Sequence, residues 1–480
     1  MPFFGQGTIA LIYERMNNNL PLSHSQVIHP RSLWLWLVEG NFFKLLVLHL
    51  LLGLTALITP IPTVLWVYTL ILTFFASSKE QKHKILPYLL IYLIPLEVFG
   101  RMVNASPFLP WETAKYLGLI LLTYGILINR KKSNGLIGLV ILFLLLPGVF
   151  IAVLKSEDLF QKISFNVLGL VNLCLAIIYF ANRSLSKNDL VGIFRFLILG
   201  SFLILAYIII QAPSFAQLEF NLGANFDLTG GFGTNQVSTI LGLAAGIGIW
   251  LWLMRIQLTK LNTINLLIPG IFLTWALLSF SRGGVISPLF ALLLVVLFVK
   301  RGHGVYEKRG INPAFIVGLG VLLPALFYLV NRVTDNLLLL RYLGETNSTL
   351  AGNQDKSLNL LTTGRWDIFL SDLDIWGDHF AFGVGVGESA MVRTDYGLEA
   401  VAAHVELSRL IAEHGIFGFV ISLLFLFLPF YVFHTRKNSF NRALIIFCFS
   451  IAILTSMHSA MRTFVTPLFY GLAFVRLRND

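Results

Sequence analysis

Long apolar runs recur along the whole of this 480-residue chain, and they constrain its fold more than any motif does. Each run is close to the ~20 residues that cross a bilayer as a helix. Charged residues make up only 12% of the chain, whereas a soluble domain has about 25%. Because backbone groups inside a bilayer must pair within each span, continuous apolar runs favour helices over the alternating strands of a barrel. We therefore predict an all-α, polytopic membrane helix bundle.

The apolar runs predict about 12–14 transmembrane helices and one large polar segment. The runs lie near 42–58, 61–77, 85–99, 113–128, 135–153, 163–181, 190–211, 235–254, 265–281, 284–299, 313–330, 416–434, 443–457 and 464–475. They divide the chain into an N-terminal cytoplasmic or interfacial segment (1–41), a helix bundle (42–330), a large polar segment ending in a short helix (331–415) and C-terminal transmembrane helices (416–480). A membrane protein with one large water-facing segment is expected to carry its chemistry there.

The distribution of basic residues predicts the orientation of the spans. Most of the 35 Lys and Arg residues fall in alternate short connectors, such as 79–84, 130–132 and 436–442. Lys and Arg in short connectors mark the cytoplasmic side of a membrane. Both termini are therefore predicted to be cytoplasmic, and the polar segment 331–415 is predicted to face outward. The net charge of +11 then reflects the concentration of basic residues on the cytoplasmic side of the membrane, so it does not imply nucleic acid as a partner.

A basic residue stands where two apolar runs meet, in the sequence Ser281-Arg282-Gly283-Gly284. Ionisable residues at membrane depth are functional candidates by default. The guanidinium of Arg282 can bind two phosphate oxygens at once, and the two glycines permit a tight turn and a close approach by another group. The alternative is a structural arginine at the end of a span, followed by a glycine cap.

A second polar cluster, Gly230 to Gln236, precedes another apolar run on the same predicted side. Its glycines permit unusual backbone angles, and Asn235 and Gln236 stand where the span begins. They are candidates for a supporting role in a binding site. The alternative is a helix N-terminus that is capped by Thr234 or Asn235.

The large polar segment holds further basic candidates, Arg341 and Arg365. Arg365 opens the stretch 366–376, in which apolar residues follow a helical period. This pattern predicts a helix that lies on the membrane surface or on the bundle. The alternative for Arg365 is a salt bridge to Asp367. The glycine run 383–387 lacks the strand–turn–helix context of a nucleotide loop, so we predict a backbone-permissive turn there.

The short helix after the large segment carries His404 and is predicted to end at Gly415. His404 is a polar group on a mostly apolar face, where a neutral imidazole can accept a proton from a hydroxyl group. The alternative is a structural histidine. Glu406 and Arg409 share another face with Glu413, which favours an ion-paired Arg409 over a catalytic partner for His404.

Taken in order, these motifs resemble those of the O-antigen ligase and polymerase superfamily, the Wzy/WaaL-like membrane glycosyltransferases. The resemblance covers roughly residues 230–435. It rests on the segments 231–236, 280–284, 364–366 and 382–387, and on His404 with 413–418.

The resemblance implies a GT-C-like fold in a bacterial inner membrane, with one large periplasmic loop. It implies that a glycan moves from undecaprenyl diphosphate to an acceptor hydroxyl with inversion, and that neither a cofactor nor a metal takes part. Arg282 and Arg365 would bind the donor's diphosphate with support from Arg341. His404 would act as the base toward the acceptor.

We expect a ligase first, for which the acceptor is lipid A–core. The alternatives with the same chemistry are a polymerase, which extends a growing glycan, and an oligosaccharyltransferase, which modifies a protein, and no residue decides among these acceptors. A flippase or transporter of lipid-linked sugars is the alternative from another class. That alternative predicts basic residues along a lumen through many spans, and it often shows an inverted repeat. Here the outward candidates gather around one segment, which favours an enzyme. The expected partners are the lipid-linked donor, the acceptor and membrane lipid.

Overall fold

The computed structural model describes residues 33–129, 135–155, 159–214, 217–299, 313–401 and 403–478. The structure is 75% helical and has almost no sheet, which confirms the predicted all-α class. Most of the predicted N-terminal segment 1–41 lies outside the described residues. So do the basic connectors 130–132 and 300–309, on which part of the predicted orientation rests.

The helices before the large polar segment are α1 Leu33–Glu39, α2 Phe42–Thr55, α3 Ile61–Ala76, α4 Lys79–Met102, α5 Thr113–Ile128, α6 Leu136–Lys155, α7 Leu159–Asn166, α8 Leu168–Ala181, α9 Lys187–Gln211, α10 Thr234–Leu253, α11 Asn262–Leu278, α12 Arg282–Phe298 and α13 Pro313–Val333. The later helices are α14 Leu337–Tyr342, α15 Asn347–Leu350, α16 Leu358–Thr362, α17 Arg365–Asp378, α18 Ser389–Val392, α19 Glu406–Thr435, α20 Ser439–His458 and α21 Val465–Leu472.

Seven of the described helices are long and apolar enough to cross a membrane, namely α4, α6, α9, α10, α13, α19 and α20. The number rises to nine if each of two bent helix pairs, α1–α2 and α7–α8, forms one span. The chain thus has the character of a multi-pass membrane protein. Helices α3, α5, α11 and α12 are apolar but shorter. The count of 12–14 spans stays a prediction, because it requires the shorter helices to cross as well.

The centre of the bundle consists of α4, α9 and α10, which are buried along most of their length. Small residues let the neighbouring helices approach them closely. A Cβ atom on Gly242 of α10 would lie 1.9 Å from the carbonyl oxygen of Gly284 in α12. Helices α10 and α12 therefore meet backbone to backbone, and this contact fixes the start of α12.

The predicted span near 464–475 is wrong in its length. Its residues form the eight-residue helix α21, which is too short to cross a bilayer as a regular helix. The chain then forms a short strand, β2 Arg476–Leu477, which pairs in parallel with β1 Ser184–Leu185. The strand pairing ends the helix, and it is a contact between segments that lie far apart in the sequence.

The glycines of the large segment adopt the predicted permissive conformations. Gly383, Gly385 and Gly387 all have positive φ, at 73°, 99° and 76°. Gly415 breaks α19 with φ 60° and ψ −135°, so the short helix after His404 ends where it was predicted to end. The glycine turn 383–387 contacts the chain just before the break at Gly415, since the amide of Gly385 donates to the carbonyl oxygen of Glu413 at 3.1 Å. Helix α17 confirms the predicted helix at 366–376.

Candidate functional site

Arg282 is the first residue of α12, with Ser281 as the capping residue. The alternative of an arginine at the end of the preceding span is wrong, because that helix ends at Leu278. The glycine cap considered as an alternative is wrong, because Gly283 and Gly284 lie inside α12. These glycines instead allow close packing, as the notional Cβ of Gly283 would lie 2.5 Å from the His458 ring.

The start of α12 also contacts the predicted supporting residue Asn235. The hydroxyl of Ser281 donates to Oδ1 of Asn235 at 2.8 Å. Gln236 does not take part in this contact. Its Oε1 accepts from Nη1 of Arg101 at 2.6 Å. Asn235 therefore holds the residue before Arg282, and Gln236 belongs to a network of ion pairs within the bundle.

Arg341 lies beside Arg282, although 59 residues separate them in the sequence. Nη1 of Arg282 donates to the carbonyl oxygen of Arg341 at 3.2 Å. Burial lowers the pKa of Arg341 from its ordinary value. The next residue, Tyr342, packs its ring edge-to-face against Phe327 of α13, which anchors the short helix α14 to the bundle.

Arg365 is the first residue of α17, and it reaches back toward α20. Its Nη2 donates to the carbonyl oxygen of His458 at 3.2 Å, while Nη1 donates to the Thr363 hydroxyl at 2.7 Å. The salt bridge to Asp367 considered from the sequence is not formed, because Asp367 accepts from the side chain of Asn359 instead. Burial, and then the positive charges of Arg341 and Arg462, lower the pKa of Arg365.

We call Arg282, Arg341 and Arg365 the arginine cluster. Within the described ranges these three residues form no ion pair with a carboxylate, and all three are only partly buried. Like charges gathered without counter-ions are unfavourable unless an anion joins them. Two of the three residues also begin helices, where the peptide dipoles add positive potential. The cluster thus has the charge and the donors that suit a phosphate-bearing ligand.

His404 stands just before α19, which begins at Glu406 with Val405 as its capping residue, so the prediction that the short helix carries His404 is wrong. His404 lies close to Arg365 of the arginine cluster. Its carbonyl oxygen accepts from the amide of Ala460 at 3.0 Å. Its Nδ1 is buried and has no hydrogen-bond partner in the part of the chain that the structure describes. Burial, and then the positive charges of Arg462 and Arg365, lower the pKa of His404 to about 3. The imidazole is therefore neutral near pH 7, and it is able to accept a proton.

His458 is the second histidine at this site, and its ring is fully occupied. Nε2 lies 2.9 Å from the Thr239 hydroxyl, and Nδ1 lies 3.1 Å from the carbonyl oxygen of Leu454. Both ring nitrogens of His458 are thus engaged with protein groups, whereas Nδ1 of His404 is available to an acceptor. The contrast leaves His404 as the stronger candidate for a base.

Glu406 and Arg409 form a buried ion-paired group with Glu413. Nη1 of Arg409 lies 2.7 Å from Oε2 of Glu413, and Nη2 contacts Glu406. The predicted ion pairing of Arg409 is thus confirmed. Oε2 of Glu406 also accepts from the amide of Met461 at 3.2 Å. These three residues line a polar cavity of about 190 Å³, and Ala403 and Arg462 line it as well.

An apolar groove of about 400 Å³ leads away from the arginine cluster between α11, α12 and α13. Its α12 wall consists of Val285, Ile286, Leu289, Phe290 and Leu293. These residues lie three, four, seven, eight and eleven positions after Arg282 and so share one face of α12 with it. Arg282 is therefore at the N-terminal end of the helix face that lines the groove. Tyr342 lines the groove next to Arg341.

Arg462 is a residue that the sequence analysis missed. It lies between α20 and α21, and its Nη2 donates to the carbonyl oxygen of Ala403 at 3.4 Å. One signal could have found it, since Arg462 is a basic residue in a connector that is predicted to face outward, against the positive-inside bias.

Among the described residues, no group of three or more His, Cys, Asp or Glu side chains is arranged as metal ligands. No protein-family model matches the chain, and no curated protein matches it either.

Proposed function

We propose that this protein is a glycosyltransferase of the bacterial inner membrane, which moves a glycan from undecaprenyl diphosphate to an acceptor hydroxyl at the periplasmic face. One observation carries the proposal. An arginine cluster that has no carboxylate partner among the described residues lies beside a neutral histidine and at the head of an apolar groove. Residues 331–415 would be the periplasmic loop of a GT-C-like fold.

The donor's diphosphate would bind the arginine cluster. The glycosidic bond from the sugar's anomeric carbon to the phosphate oxygen breaks, and its electron pair leaves with undecaprenyl diphosphate. Guanidinium groups that are already in place stabilise the charge that grows on this leaving group. The cluster is also stabilised in return, because the bound anion relieves the repulsion among its arginines.

His404 would act on the other reactant. The acceptor hydroxyl attacks the anomeric carbon from the face opposite the leaving diphosphate, so a new carbon–oxygen bond forms with inversion. The hydroxyl proton moves to a ring nitrogen of His404, which is neutral in the free protein. The negative charge of the bound diphosphate raises the pKa of the imidazole and so favours this transfer. No step requires a metal ion, because the arginines supply the positive charge.

The apolar groove supports a lipid-linked donor over a soluble sugar nucleotide. A diphosphate held by Arg282 and Arg341 places the attached polyprenyl chain at the upper end of the groove. The groove walls are aliphatic and aromatic side chains, which would cover part of the chain. A sugar nucleotide would contact the arginine cluster and make no use of this groove.

The acceptor that we propose first is lipid A–core, which makes the protein an O-antigen ligase. A growing glycan, or a protein, remains the alternative acceptor for the same chemistry. A flippase or transporter of lipid-linked sugars is the more distant alternative. The buried cations Arg101 and Lys115 are ion-paired with Glu97 and Glu112.

Transfer by the purified protein tests the proposal. The protein receives undecaprenyl-diphosphate glycan, with lipid A–core in one tube and no added acceptor in the other. We expect glycosylated lipid A–core in the first tube only. Longer lipid-linked chains without added acceptor would make the protein a polymerase. The absence of product in both tubes, and with a protein acceptor, would overturn the glycosyltransferase proposal.

Accessibility labelling tests the proposed orientation. Asn353 in the large segment and Lys437 in a basic connector are both exposed, whereas Cys174 and Cys448 are buried. We expect a membrane-impermeant maleimide to label Asn353→Cys in cells with a permeabilised outer membrane. We expect it to label Lys437→Cys only after the inner membrane is opened. The reverse pattern would place the site on the cytoplasmic face.

A further inference from the structure

The segment between α20 and α21, residues 459–464, makes a set of contacts with the backbone around His404. We call it the C-terminal connector. The amide of Ala460 donates to the carbonyl oxygen of His404, and the side chain of Arg462 donates to the carbonyl oxygen of Ala403. Ala460 has φ 51°, a left-handed conformation that is costly for a residue with a Cβ. Such strained residues cluster at functional sites, where the surrounding contacts hold them.

Buried ionic groups hold the connector from the bundle side. Nη1 of Arg101 donates to the carbonyl oxygen of Arg462 at 3.1 Å. Oε2 of Glu97 accepts from the amide of Phe464 at 2.8 Å. Arg101 and Glu97 are themselves paired at 2.7 Å, and both are buried within α4. The backbone on which Arg462 stands is therefore fixed from two directions.

The guanidinium of Arg462 lies within electrostatic range of both parts of the candidate site. Its charge lowers the pKa of Arg365 on one side and that of His404 on the other. Arg462 also lines the polar cavity of about 190 Å³ that adjoins Ala403. Arg462 therefore adjoins both Arg365 of the arginine cluster and the candidate base.

We propose that Arg462 is a fourth guanidinium of the donor site, and that it binds the diphosphate of the lipid-linked donor from the side of His404. This inference rests on the proposed function and deepens it, since it assigns a ligand to a residue outside the motifs that led to the site. Arg462 then reaches a phosphate oxygen near the bond that breaks. The arginine cluster binds the remaining oxygens and the end that carries the lipid.

Direct binding of undecaprenyl diphosphate tests the inference. The full-length protein in detergent is titrated with undecaprenyl diphosphate and, separately, with undecaprenol, which lacks the phosphates. For Arg462→Gln we expect diphosphate affinity to fall about 10- to 100-fold, as a charge-assisted hydrogen bond is lost. Arg462→Lys keeps the charge and should recover most of the affinity. Undecaprenol should bind equally to all three proteins.

Arg332→Gln is the matched control, because Arg332 is an exposed arginine in the last turn of α13. It should bind the diphosphate as the unaltered protein does. Thermal unfolding of each variant shows whether the fold is kept, and Arg462→Met, which removes the charge but keeps an unbranched side chain, carries the test if the Gln variant unfolds. Equal diphosphate affinity in Arg462→Gln and in the unaltered protein would overturn the role of Arg462 alone. If the unaltered protein does not prefer the diphosphate to undecaprenol, both the donor site and this inference fail.

Discussion

Two sets of arginines differ in their partners and in their burial. Arg101, Arg393 and Arg409 are buried, and each pairs with a carboxylate at 2.6–2.7 Å. The arginine cluster is only partly buried, and within the described ranges it has no carboxylate partner. A buried charge needs a built-in counter-ion, whereas a partly exposed charge is able to receive one from a ligand. The same residue type thus serves the scaffold in one region and a candidate binding site in the other.

The ion-paired arginines help to position the arginine cluster. Arg393 donates to Oδ1 of Asp372 on α17, and the other oxygen of Asp372 accepts from the Ser408 hydroxyl on α19 at 2.6 Å. This network ties the helix that begins at Arg365 to the helix that follows His404. Buried ion pairs of this kind add little net stability, because desolvation offsets their attraction. What they contribute here is the relative position of α17 and α19.

The largest effect that we expect is on the candidate base. His404→Ala should slow glycan transfer by about 10²- to 10⁴-fold, because no group remains at that position to take the acceptor's proton. His379→Ala is the control, as His379 is an exposed histidine of the same large segment. The measurement is the initial rate of transfer by purified protein. Unchanged transfer by the His404 variant would leave that residue with a structural role only.

Removal of one arginine from the cluster should give the next largest effect. Arg282→Ala or Arg365→Ala should lower kcat by about 10²- to 10³-fold, since each loses a donor to the developing charge on the diphosphate. Thermal stability should stay the same or rise slightly, because repulsion among like charges is relieved. Arg332→Ala is the control for general loss of charge. A marked fall in thermal stability would show that these arginines stabilise the fold, as the ion-paired arginines do.

The ion-paired arginines should show the opposite behaviour. Arg393→Ala should destabilise the fold by about 3–5 kcal/mol, because it leaves the buried carboxylate of Asp372 without a counter-ion. The double variant Arg393→Met with Asp372→Leu removes both charges, and it should recover part of that loss. Thermal unfolding in detergent measures both variants. Full stability of Arg393→Ala would end the distinction between the two sets.

The smallest effect that we expect concerns pH. An ordinary histidine loses half of its neutral form at pH 6.5, but the pKa of His404 is lowered to about 3 in the free protein. The neutral form therefore persists as the pH falls, and kcat/KM should show no inflection from His404 between pH 5 and 8. Transfer rates at low donor concentration across this range test the prediction. An acid limb near pH 6.5 that disappears in His404→Gln would contradict it.

The sequence predicted local features well, because they depend on neighbouring residues. The apolar runs predicted most helices, since span formation follows from length and composition. The ion pair of Arg409 followed from residues three and four positions away. The break at Gly415 and the glycine turn followed from the backbone freedom of glycine. The roles of His404, Arg282 and Arg365 were inferred from motifs and stay predictions until transfer is measured.

Only the tertiary structure decided which distant residues share one site. Arg282 meets the backbone of Arg341 across 59 residues, and Arg365 meets that of His458 across 93. Arg462 lies near these arginines, although it belongs to a connector that carries no recognised motif. Helix α21 is followed by a short strand that pairs with residues 184–185. Such contacts depend on how helices pack, which small residues and buried ion pairs determine together. By itself the sequence determined an all-α bundle of apolar helices with a polar segment rich in candidate residues. Packing decided which arginines in the described part of the chain pair with carboxylates and which do not.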